Sequence, residues 1–128
     1  MRIAQCLALL TLWLPYGVFA AEGESPSHKM EAIFKKHHFA MLDKGILTAD
    51  ANYAAAVGSV TFLRGLCGDE VVTAAQLGEL QARAEEFVNI PKAILAQEAR
   101  SVTDELNDSF ANAGKDVAHE ICENAKAR

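Results

Sequence analysis

The chain has 128 residues, enough for one domain, and 51% apolar content with 23% charged residues describes a folded protein rather than a disordered one. Its formal charge is −5, and one unit more negative without Arg2, because every acidic residue lies beyond residue 21. Such a surface lacks the field that holds a phosphate backbone, so no nucleic acid is expected as a partner; adsorption to anionic lipid is also disfavoured, whereas a basic protein partner is compatible with it.

Residues 1–20, MRIAQCLALLTLWLPYGVFA, have the layout of a signal peptide. Arg2 supplies the positive start, Leu7 to Leu14 form an apolar run too short to span a bilayer, and Pro15 and Gly17 break a helix before Val18-Phe19-Ala20. Cleavage is expected after Ala20, with Ala21 the second choice, giving a periplasmic or secreted product without stable membrane insertion. Cys6 lacks the preceding small-residue pattern of a lipoprotein and departs with the leader. Cys67 and Cys122 then remain as a pair in an oxidising compartment, where such pairs become disulfides. Closing that loop stabilises the fold by about 4 kcal/mol in the chain-entropy model. The alternative, a redox-active pair or metal-ligating thiols, lacks a C-x-x-C spacing to support it.

Residues 21–27, AEGESPS, read as a flexible lead-in to a helical domain over 28–128. Ser27 or Ser25 can cap the first helix, with Pro26 at its start. Met30, Ile33, Phe34, His37/His38 and Met41 then recur at helical spacing, and Gly45 supplies a left-handed stop. A second helix is expected from Thr48 or Asp50, facing inward through Tyr53, Ala56/Val57, Val60, Leu63 and Cys67. Ala54, Ala55, Ala56 and Gly58 make it slim enough for close approach by a neighbour, and Gly65 and Gly68 bracket its end.

Thr73 and Gln76 fit a capping box, flanked by Val72 and Leu77 as a hydrophobic staple. The helix that follows is expected to bury Leu77, Leu80, Ala84, Phe87 and Val88, and to end at Asn89-Ile90-Pro91. A fourth helix carries Leu95, Ala99, Val102, Leu106 and Phe110, with Gly114 as its stop. Asp116 is placed to cap a short last helix containing Val117, Ile121 and Cys122, with Lys126 and Arg128 suited to its C-terminus. No segment alternates long enough to demand a strand. The expected fold is an all-α bundle of four to five helices with one disulfide.

Candidate chemistry is sparse. His119 and Cys122 form H-x-x-C one helical turn apart, which could ligate zinc or copper if Cys67 joined as a thiolate; the disulfide would consume both thiols. His37 and His38 lie on a helix with Met30 and Met41, residues able to ligate soft metals or haem. Met30 near the start and His119 near the end are placed as the axial ligands are in periplasmic b-type cytochrome four-helix bundles, and the layout is similar to that family in this single respect. The resemblance implies haem between Met30 and His119. The C-x-x-C-H signature of attached haem is absent.

Neither calcium-loop alignment, on Gln76 or on Glu120, supplies acidic ligands at the entering positions. Asn107-Asp108-Ser109 matches a glycosylation acceptor but falls inside a helical pattern. There is no G-x-S-x-G, and no histidine has a local Ser or Asp arrangement for nucleophilic catalysis. The reading is therefore an exported helical interaction protein without catalytic residues and without a cofactor. Its expected partner is another envelope or secreted protein, met through an acidic or apolar helix face, in the format of small inhibitors and immunity proteins. The alternatives are a haem- or metal-binding bundle using Met30, His37, His38 or His119 and, third, an enzyme whose site forms only in the tertiary fold.

Overall fold

A computed structural model of the protein describes residues 25–127; the expected leader and cleavage site lie outside them. Ser25, rather than Ser27, caps the first helix, its hydroxyl accepting the His28 backbone N–H at 3.1 Å. Pro26 occupies the first helical position of α1 (Pro26–Asp43), where its missing N–H costs nothing. Gly45 takes φ 89°, and the Ile46 N–H reaches back to the Met41 carbonyl at 3.1 Å while the Gly45 N–H reaches Leu42. Those two bonds satisfy carbonyls that a helix end would otherwise leave unpaired.

Helix α2 (Thr48–Cys67) starts at Leu47 without a side-chain cap and ends at Gly68, which has φ 76° and opens a 3-10 turn, Gly68–Glu70. Helix α3 (Ala74–Phe87) has the reciprocal capping box of Thr73 and Gln76. The Asn89-Ile90-Pro91 break separates it from α4 (Lys92–Ser109), and α5 (Lys115–Lys126) completes the chain. The last boundary differs from the sequence expectation. Phe110 caps the end of α4, and Gly114 caps the start of α5, leaving Asp116 in its first turn, where its charge complements the helix dipole.

Helix α2 is the hub, touching each of the other four helices. Gly58 sits against Ala99 and Val102, Phe62 against the Phe110 ring at 5.8 Å, and Asp50 accepts the Asn89 N–H. These contacts advance together along both chains, so α2 and α4 run parallel, with α3 as the return between them. Helix α1 runs antiparallel to α4, pairing Lys44 with Glu98 and Lys36 with Glu105. Cys67 and Cys122 are bonded, fastening the end of α2 to α5.

The buried stripe of α2 is Ala51, Ala54, Ala55, Val57, Gly58 and Phe62; of the expected face Val57 is buried, while Tyr53, Ala56, Val60, Leu63 and Cys67 stay half-buried. Small side chains let α4 approach there, and closeness rather than bulk selects the inward face. Helix α3 also departs from expectation. Only Ala84 is buried; Leu77, Leu80 and Val88 are half-buried, and Phe87 is 60% exposed, stacked on Tyr53. This helix packs mainly on α2, so the margin of its apolar stripe has nothing above it. The remaining core contains Ile33, Leu95 and the fully buried Met41, Val102 and Leu106.

A methyl on Gly58 would stand 2.4 Å from the Ala99 carbonyl oxygen and 2.7 Å from Val102 Cβ. Gly58→Ala should therefore destabilise by about 1–3 kcal/mol, the usual cost of overpacking. Gly78, inside α3 with open space around it, is the control: Gly78→Ala should stabilise by up to about 1 kcal/mol through helix propensity. Denaturant unfolding of the two variants checks the pair, and equal effects would contradict the close contact.

Candidate functional site

Three segments distant in sequence meet at the end of the bundle where α1 begins. The first turns of α1 contribute Met30 and Phe34, the end of α2 contributes Leu63, and Val72 leads into α3. Helix α5 closes the far side with Ile121, Asn124 and Ala125. Between them lies an open cleft of about 720 Å³, within the range of sites that hold small molecules or inserted side chains. Its floor is apolar, and methionine in such a floor adapts to differently shaped occupants. The rim is polar: Ser25, Ser27, His28, Glu31 and Asn124. Asn124 Nδ2 donates to Ser27 Oγ at 3.1 Å, joining the two walls. Glu31 is the one Asp, Glu, Lys or Arg among the described lining residues, and its partner Lys35 stands 3.5 Å away in an exposed pair. Such surface pairs are weak and leave the carboxylate available.

A second polar feature runs along the α1–α4 seam. Glu98 and Glu105, seven residues apart on the edge of the α4 stripe, meet Lys44 and the Lys36/His37 pair on the antiparallel α1. Lys44 Nζ is 2.7 Å from Glu98 Oε2, while Lys36 Nζ and His37 Nε2 lie 2.9 and 2.7 Å from the two Glu105 oxygens. The hydrogen bond from Lys36 lowers the Glu105 pKa, helped by His37 and opposed by partial burial. These carboxylates were not among the sequence candidates. Glu98 is buried because it occupies a position of the apolar stripe, next to Ala99, and that position is its one signal in the sequence.

The sequence candidates are dispersed. Cys67 and Cys122 form the disulfide, so neither is a free thiolate. Met30 lines the cleft. His119 is exposed on α5, two residues before Ile121 and so on the opposite side of that helix from the cleft. The two are not brought together. His37 bonds Glu105, whereas His38 stacks on Phe34 at 6.5 Å with its buried Nδ1 unpaired. Adjacent histidines on one helix thus face different surroundings. Among the described residues no three His, Cys, Asp or Glu side chains converge in a way that could hold a metal ion, and no helix is long and apolar enough to cross a membrane. No protein-family model, curated protein or solved structure matches the chain.

Because Glu105 ionises more readily folded than unfolded, its contribution is present above the unfolded pKa and is lost as pH falls through the lowered folded value. The stability gap between wild type and Glu105→Gln should be widest near neutrality and shrink as pH drops below the ordinary glutamate value of 4.5. Urea midpoints measured across that interval check this; a gap independent of pH would contradict the seam's role.

Proposed function

We propose that the protein is an exported, non-catalytic binding protein whose cleft receives an apolar side chain from a basic segment of another envelope or secreted protein. The observation that carries this reading is the cleft itself, an apolar floor of Met30, Phe34, Leu63, Val72 and Ile121 under a polar rim that carries the negative charge of Glu31. An apolar anchor inserted into a pocket is the usual centre of a protein interface. Glu31 and the net negative charge of the chain favour a partner with cations beside that anchor, chiefly by steering the encounter.

A fluorescent peptide with a central Phe-Leu pair flanked by lysines is the probe, with a version carrying glutamates as control. Anisotropy should show tighter binding of the lysine peptide by the mature protein, with the difference shrinking in salt. Met30→Lys should weaken it about tenfold or more, equivalent to about 1.4 kcal/mol. Equal affinity for the two peptides, or binding unaltered by Met30→Lys with helicity intact, would count against the proposal.

A further inference from the structure

We propose that α5 is a releasable wall of this cleft, latched by the Cys67–Cys122 disulfide, so that reducing the bond opens the site and discharges its occupant. The inference rests on the cleft being the binding site. Helix α5 provides three of the lining residues, Ile121, Asn124 and Ala125, yet its own attachment is slight. Ile121 is its one buried residue. Val117, Ala118 and Ala125 are half-buried, and among the described residues its polar contacts with other elements are the Asn124–Ser27 hydrogen bond and the exposed pair of Lys126 with Glu70. A twelve-residue helix is marginal in water without tertiary support. Helices α1, α2 and α4 pack on one another through Gly58, Met41, Val102 and Leu106, and α3 packs on α2 through Ala84, none of which involves α5. Ala111 to Gly114, exposed throughout, connect α5 to the rest as a ready hinge.

The chemistry is thiol–disulfide exchange. A thiolate of an external dithiol attacks one sulfur of the half-buried pair and forms a mixed disulfide while the other cysteine leaves as thiolate. The reagent's second thiol then displaces the first cysteine. Two electrons and two protons pass to Cys67 and Cys122, and the dithiol becomes a disulfide. Freed of the cross-link, α5 swings away and the floor loses Ile121.

Hydrogen exchange of the mature protein, oxidised and then reduced with dithiothreitol, tests the latch without any ligand. Amides of 115–126 should exchange about tenfold faster or more on reduction, while those of α2 and α4 remain protected. Cys67→Ser with Cys122→Ser should match the reduced protein, and reoxidation of wild type should restore protection. Unchanged α5 exchange, or simultaneous loss of protection in α2, α4 and α5, would overturn the proposal. The lysine peptide probe separates the two readings. Failure to bind the oxidised protein sinks the cleft reading, whereas equal binding before and after α5 release sinks the latch alone.

Discussion

The distance between α2 and α4 at Gly58 governs the rest of the bundle. With no Cβ at that position, the Ala99 carbonyl and Val102 side chain come as close as a backbone allows, and Thr103 Oγ1 donates to the Gly58 carbonyl at 2.8 Å. Parallel neighbours joined by an antiparallel return must lie side by side, so α3 is displaced to the outer flank of α2. That placement explains its half-covered apolar stripe and the exposed Phe87. Helix α1 then fills the opposite groove, contacting both α2 and α4 and bringing Met41 into full burial.

Once α1 lies antiparallel along α4, its register is fixed by two kinds of contact at once. Ile33 and Met41 enter the core, while Lys44, Lys36 and His37 find Glu98 and Glu105. Most of these charges remain partly exposed, so their worth lies less in stability than in rejecting shifted registers, where Glu98 would be buried unpaired. The seam thereby sets how far α1 extends along α4. Its first turn lies level with the end of α4, with Lys29 over the Phe110 ring, and the space between these turns, the end of α2 and α5 is the cleft. The cleft is thus a consequence of helix lengths and register rather than of any local motif.

This separates what can be read from the sequence from what cannot. Signals confined to a few neighbours are legible: the Ser25 cap with Pro26, the left-handed Gly45, the Thr73–Gln76 box and the break before Pro91. The disulfide is legible from counting, because Cys67 and Cys122 are the two cysteines beyond the leader-like stretch. Burial is not, wherever it depends on which helix lies opposite. Val60 is more apolar than Ala54, yet the close approach of the partner's backbone puts Ala54 inside. Met30, Phe34, Leu63 and Ile121 read as core-facing positions, but that they line an open cleft depends on how α1, the end of α2 and α5 come together. Glu98 and Glu105 read as ordinary helix carboxylates until α1 is laid against them.

The cross-link and the cleft are coupled through the rotation of α5. Ile121, Asn124 and Ala125 share one face of that helix, at the three-and-four spacing, and Cys122 stands on the flank about 100° from Ile121. A bond at the flank to the end of α2 blocks rolling in either direction, which one buried isoleucine could not do. The sulfur bridge therefore fixes which residues the last helix shows to the cleft as well as keeping it near. A stability argument alone would accept a cross-link anywhere that closes a comparable loop. Its position beside Ile121, the one buried anchor of α5, instead ties the placement of that helix to the redox state of the chain.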